Sequence, residues 1–260
     1  MSRSLIHTVL TATMLASGLS LNPCATTSIA QERGEASPVG QGETLVIELE
    51  AGQVLQLIAP QARAKGGAAR QSYYRAAFPI AESLGYQRLG QLNVKQKVVS
   101  DYDPGAFIFF SWPDERAANE FASHPQWPAI KETRPAAWDE LKIYNSVLES
   151  DLQLTFDPAK HYSVVVAWFD PDNPSDYDRY LTGIESAVDR AGGRFIYKMR
   201  NPTFEAHASA PTAPGQITFV EWNSPDGFAE VQKSEEYLAH RQYFGSGLER
   251  FEFYWLTPAT

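Results

Sequence analysis

The 260-residue chain is 43% hydrophobic and 12% aromatic, enough apolar material for an ordinary buried core. Its 22 Lys and Arg against 31 Asp and Glu give a formal charge of -9, with no basic stripe gathered along it. A surface that neutralises phosphates needs clustered cations, so nucleic acid is excluded as a partner.

Residues 1–30 read as a signal peptide. Arg3 precedes an apolar run from Leu5 to Leu21, too short for a stable span, and Ser28-Ile29-Ala30 supplies the small-x-small pattern of a signal-peptidase site. Cleavage after Ala30 leaves no transmembrane span and predicts a periplasmic or secreted bacterial protein. The lone cysteine, Cys24, lies three residues after Leu21, so lipoprotein anchoring is the alternative, although Pro23 stands where that signal takes Gly, Ala or Ser. Residues 31–42 are polar, aperiodic and contain Gly and Pro, and read as a disordered lead-in.

The first half of the folded chain, 43–150, begins with alternation over Thr44 to Glu50 and again over Val54 to Ile58, predicting two short strands around a tight turn at Ala51-Gly52. Arg63 to Arg70 combines glycines with three cations. It lacks the Gly-x-x-x-x-Gly-Lys-Ser/Thr spacing of a phosphate cradle and is expected to be a flexible surface loop. Tyr74, Ala77, Phe78, Ala81 and Leu84 fall at helical spacing, with Pro79 predicting a kink and Gly85 a stop. Strands follow at 86–98 and 106–112. A helix then opens at Pro113-Asp114-Glu115 and runs towards Ala122, and a last strand spans Leu141 to Leu148.

The second half, 160–260, repeats that order. Tyr162 to Phe169 is a near-continuous apolar strand. Tyr177, Tyr180, Leu181, Ile184, Ala187, Val188 and Ala191 form the stripe of a helix that Gly192-Gly193 ends. Arg194 to Arg200 is the next strand, and a polar connection over 207–215 leads to the strand Ile217 to Trp222. Helical segments fill 225–245, and Arg250 to Trp255 is the final strand.

The two halves match residue for residue at an interval of 110. Pro104-Gly105 returns as Pro214-Gly215, Phe109 as Phe219, Trp112 as Trp222, Glu120 as Glu230, Trp127 as Tyr237 and Tyr144 as Tyr254. The pattern predicts an α+β chain of two tandem ferredoxin-like βαββαβ repeats. Such a pair resembles the dimeric α/β-barrel superfamily. The second half resembles the bacterial domain-of-unknown-function family thirteen-thirty, on Asp172-Asn173-Pro174-Ser175-Asp176-Tyr177-Asp178-Arg179-Tyr180, Gly192-Gly193-Arg194-Phe195, Phe219-Val220-Glu221-Trp222-Asn223-Ser224-Pro225-Asp226 and Ser234-Glu235-Glu236-Tyr237. The first half lacks the double glycine and the Asp-Pro-Tyr helix start. Single-domain relatives dimerise to complete the barrel, so the resemblance implies a monomer packed as an internal pseudo-dimer. It implies no particular reaction.

The residues carry no hydrolase elbow, dinucleotide loop or histidine spacing for zinc, so no cofactor and no metal are expected. The acids from Asp170 to Asp178 lack the glycine and glutamate of a calcium loop and suit a helix N-terminus. The resemblance places ligands in a cleft between helices and sheet, where Arg194, Lys198 and Arg200 would hold an acid between the aromatic walls Trp168 and Trp222. Strand alternation puts those cations on one face and Phe195, Tyr197 and Met199 on the other. A small-molecule binder of an apolar or aromatic acid is the expected function. The alternative is a cofactor-independent oxygenase or isomerase, with His240 as base and Tyr243 or Tyr197 orienting substrate.

Overall fold

The computed structural model describes residues 42–209 and 212–259. The expected signal peptide at 1–30, and all of the 31–42 lead-in but its last residue, lie outside them. The first half comprises β1 (Leu45–Leu49), β2 (Val54–Ala62), α1 (Gly67–Ser83), β3 (Gln87–Val99), β4 (Ala106–Trp112), α2 (Glu115–Ala122), α3 (Trp127–Lys131), α4 (Arg134–Ala137) and β5 (Trp138–Val147). A short strand, β6 (Leu152–Phe156), links it to the second half. There follow β7 (His161–Phe169), α5 (Asp176–Arg190), β8 (Gly193–Arg200), β9 (Thr203–Glu205), β10 (Gln216–Trp222), α6 (Gly227–Gln232), α7 (Glu235–Gly247) and β11 (Leu248–Pro258). Among the described residues no helix is long and apolar enough to cross a membrane.

Helix starts follow local chemistry. Asp114 accepts the Ala117 N–H at 2.7 Å ahead of α2, and Ser234 accepts the Tyr237 N–H at 3.1 Å ahead of α7. Asp176 and Asp178 sit in the first turn of α5, where the helix dipole favours negative charge.

Nine antiparallel strands form one sheet in the order β8-β10-β7-β11-β3-β4-β2-β5-β9 among the described residues. Within 54–147 the spatial order is second, third, first, fourth strand, and the four main strands of 161–258 follow the same order. The sets join through β11 against β3 and through β5 against β9, the short strand that follows β8. Only residues 201 and 202 separate β8 at one end of the order from β9 at the other, so the sheet curls round on itself. Asn201 takes the left-handed conformation at that joint, φ 44°, which Asn tolerates better than most residues.

The alternation of every strand then has an inside and an outside. Leu55, Leu57, Phe107, Phe109, Tyr162, Val164, Val166, Ile217, Phe219 and Tyr254 fill the interior, and β1 and β6 add Ile47, Leu49, Leu154 and Phe156 to it. Most are fully buried, and at about 1.5–3 kcal/mol per large side chain this interior is the main source of stability.

Three expectations need correction. β1 and β2 flank a turn at Gly52, φ 89°, but do not pair with each other: β1 pairs with β6, which the sequence reading did not anticipate, and β2 lies between β4 and β5. The loop at 63–70 is helical from Gly67 onward, and Arg70 Nη1 ties it down by donating to the carbonyls of Arg63 at 3.0 Å and Ala137 at 2.9 Å. Along β8 the register shifts opposite Phe219/Val220, which breaks the expected alternation. Lys198 Nζ lies 4.7 Å from the ring centre of Phe195, a residue expected on the opposite face.

Candidate functional site

Helix α1 crosses the outer face of β2, β4 and β5. Tyr73 and Ala77 meet Leu141 and Ile143, while Ala81 meets Val54, Phe110 and Trp112. Between helix and sheet is a cleft of about 1060 Å³. Its walls are aromatic: Tyr74 stacks on Phe78 at 5.1 Å, Tyr86 on Phe110 at 4.8 Å, and Trp112 meets Phe121 at 5.1 Å. Flat rings at these spacings offer faces and edges to a planar guest.

Polar groups are few and placed. The Tyr86 hydroxyl donates to Gln56 Oε1 at 2.5 Å, and Gln56 Nε2 donates to Asn145 Oδ1 at 2.7 Å. Burial drives the Tyr86 phenol well above its ordinary range, and raises those of Tyr73 and Tyr74, so all three stay protonated at neutral pH. They serve as donors and walls, not as bases.

At another part of the lining, Arg134 is 1% exposed. Its guanidinium lies 5.0 Å from the Trp127 ring centre and donates to the Tyr73 hydroxyl at 3.3 Å and to Glu205 Oε1. Lys131 Nζ reaches the same Glu205 oxygen at 2.8 Å. Burial pushes the Glu205 carboxyl upward, but Arg134 and Lys131 outweigh it and hold it below the usual glutamate range.

At the 110-residue interval, several residues lining the cleft face larger ones in the second half. Ala118 corresponds to Phe228, Leu141 to Phe251, Ile143 to Phe253 and Asn145 to Trp255. In the second half these larger rings pack together: Phe228 on Phe253 at 5.4 Å, Phe253 on Trp255 at 5.8 Å, and Trp255 on Trp222 at 6.3 Å. The matching tryptophans differ too. Trp222 Nε1 donates to Ser163 Oγ at 2.9 Å, whereas the buried Nε1 of Trp112 has no partner.

Of the residues singled out from sequence, Tyr197, Lys198 and Arg200 line this cleft. Burial raises the Tyr197 phenol to about 12, against a hydrogen bond from Ser146 that lowers it. Arg200 is engaged by Asp178 of α5 at 2.9 and 3.0 Å, and Arg194 by Glu221 at 3.2 Å. Trp168 and Trp222 are buried, 3% and 2% exposed. Trp168 belongs to the interior cluster, under Arg250 at 3.8 Å, and donates to the Thr212 carbonyl at 2.9 Å.

His240 and Tyr243 come together elsewhere, with ring centres 6.1 Å apart, in a separate shallow groove of about 480 Å³ lined from α5 and α7. The His240 ring lies over Gly183, and its Nδ1 is 2.8 Å from the Glu236 carbonyl oxygen. Tyr243 takes Arg179 at its hydroxyl and on its ring face. The structure therefore groups Tyr197 with one site and His240 with another.

Sequence reasoning missed Arg134, Glu205, Gln56, Asn145 and the aromatics of α1 as site residues. The signal that finds them is the repeat itself, compared column by column for places where a large residue in one half faces a small or charged one in the other.

No protein-family model matches the sequence, and no curated protein matches it. Solved structures do. An anthrone oxidase-like protein matches with a TM-score of 0.45 at 10% identity, over 82% of this chain and 94% of its own. A variant of chlorite dismutase from Candidatus Nitrospira defluvii matches with a TM-score of 0.40 at 12% identity, over 81% of this chain and 93% of its own. A protein of unknown function from Rhodopseudomonas palustris matches with a TM-score of 0.31 at 19% identity, over 43% of this chain and 85% of its own. Likenesses this distant assign nothing to the chain's chemistry.

Proposed function

We propose that this chain binds a small planar aromatic acid in the cleft beneath α1, one molecule per chain. The observation that carries the reading is the contrast between equivalent positions: Phe228, Phe253 and Trp255 fill in one half the space that Ala118, Ile143 and Asn145 leave open in the other. Aromatic walls left facing an open cleft keep apolar surface in water, and smaller side chains where the second half carries rings are best understood as room for a guest. The aromatic walls favour a flat ring system, and Lys131 with Arg134 against one carboxylate favours an anion.

The test is a thermal-shift and tryptophan-fluorescence titration with 2-naphthoate, 2-naphthamide and a medium-chain fatty acid. Saturable one-to-one binding of the naphthyl compounds, with Tm rising as ligand exceeds Kd, is the expected result. A flat response to all three would sink the reading.

We also propose that the two halves are duplicated units of family thirteen-thirty, packed as a pseudo-dimeric α/β barrel in an exported protein. The recurring strand order supports this, and so does the pairing of Lys142 with Glu252, which stand at the repeat interval of 110. Native mass spectrometry of exported protein is expected to give one chain, beginning at Gln31. A two-chain species would overturn the internal pseudo-dimer.

A further inference from the structure

We propose that Lys131 and Arg134 are the anion subsite of the cleft, and that Glu205 is an internal placeholder which an acidic ligand displaces. The inference rests on the ligand reading above and adds to it the residues that take the acid and the group that competes for them.

The first argument is the identity of position 134. The residue at the matching place in the second half is Phe244, buried among Tyr180 and Phe251 with ring centres 4.9 Å from each. Packing at this place is satisfied by an apolar ring. An arginine there, 1% exposed, loses hydration that only a partner can make good. A costly cation where an apolar ring would do points to a task other than packing.

The second argument is the charge balance. Two cations converge on one carboxylate, and on one atom of it, Oε1. The cluster of Lys131, Arg134 and Glu205 therefore carries a surplus of one positive charge. Arginine is suited to grip a carboxylate through two parallel N–H bonds, yet here it holds a single oxygen. A ligand carboxylate that replaced Glu205 would gain the second bond and meet both cations.

The third argument is the accessibility of the placeholder. Glu205 ends β9, three residues long, held to β5 by the pairs Ile143–Glu205, Tyr144–Phe204 and Asn145–Thr203. Its side chain is 34% exposed where that of Arg134 is 1% exposed. Glu205 is the exposed partner of the pair, so a ligand entering the cleft meets it before Arg134, whose guanidinium Tyr73 and Trp127 also flank. Arg134 and Glu205 line the cleft, and Lys131 reaches Glu205 from the end of α3.

The decisive experiment compares 2-naphthoate with 2-naphthamide on the wild-type chain and on Glu205→Gln. Removing the competitor is expected to tighten naphthoate binding roughly ten-fold, equivalent to about 1.4 kcal/mol, while leaving naphthamide within two-fold. A merely structural Glu205 gives the opposite sign, because its loss would loosen α4 and weaken both compounds. Should Glu205→Gln fail to fold, Lys131→Met serves in its place: the naphthoate preference is expected to drop about five-fold and to lose part of its salt dependence. Naphthoate bound equally by wild type and variants would overturn the placeholder while leaving the cleft reading intact. Failure of both compounds on the wild-type chain would overturn the two together.

Discussion

Glu140 shows what one carboxylate can hold. It is 6% exposed and accepts the backbone N–H of Leu141 at 2.9 Å, of His207 at 3.0 Å, of Ala208 at 3.2 Å and of Ser209 at 2.6 Å. Burial raises its pKa, but hydrogen bonds from the Ser209 side chain and from the amides of Ala208, His207 and Leu141 outweigh burial and leave it below the usual glutamate value. A depressed folded-state pKa gives stability that is complete above the unfolded glutamate value, about 4.3, and is lost as pH falls through the folded one. The segment at 206–209 is therefore expected to come free in acid before the sheet unfolds. Limited proteolysis between pH 7 and pH 3 checks it, and Glu140→Gln is expected to cost about 1–3 kcal/mol while flattening that acid dependence. An unchanged digestion pattern across the range would argue that the amides, not the charge, do the holding.

At the scale of elements, position 145 decides whether the space over β5 is a cleft or a core. Asn145→Trp installs the residue of the second half, and it is expected to abolish naphthoate binding and to cost about 1–3 kcal/mol, since it adds volume to open space but leaves Gln56 Nε2 without its acceptor. The reciprocal Trp255→Asn removes a ring packed against Trp222 and Phe253 and is expected to cost about 3–5 kcal/mol. Denaturant unfolding and the same titration read both. Equal costs would mean that the two halves are packed alike and that the contrast between them is superficial.

These elements were largely legible in the sequence. The apolar run of β7 and the stripe of α5 carry strong periods, and both appear within a residue or two of expectation. β6 was not legible, because Leu152 to Phe156 is short and takes its meaning only from the partner β1. The bulge in β8 depends on how β10 lies beside it, which no local pattern records. The site was less legible than the fold for a related reason: an opening is defined by what is missing, and Ala118 looks unremarkable until Phe228 is set against it.

At the scale of the molecule, the two halves meet through buried charge as well as apolar surface. Lys142 Nζ donates to Glu252 Oε1 at 2.7 Å, with side chains only 6% and 8% exposed, and Tyr254 donates to the other glutamate oxygen at 3.1 Å. Lys142 and Glu252 stand 110 residues apart, and two identical units in this arrangement would bring like charges together there. Lys142→Met alone is expected to cost about 3–5 kcal/mol, because it strands a buried carboxylate, and adding Glu252→Gln is expected to restore most of it. Double-mutant unfolding measures the coupling. Two single costs that simply add would show the pair to be independent.

The ring of strands has two seams between the halves, and they are unequal. One runs along β11 and β3 from Phe253 to Pro258; the other is the three-residue contact of β9 with β5. Breathing of the cylinder should begin at the short seam, so backbone amides facing it in β5 will exchange hydrogen for deuterium earlier than those between β7 and β10, where seven pairs lie in unbroken register. The glutamate over the buried arginine sits on that short seam, and an acid that lifts it would be felt as faster exchange along the edge of the opposite half.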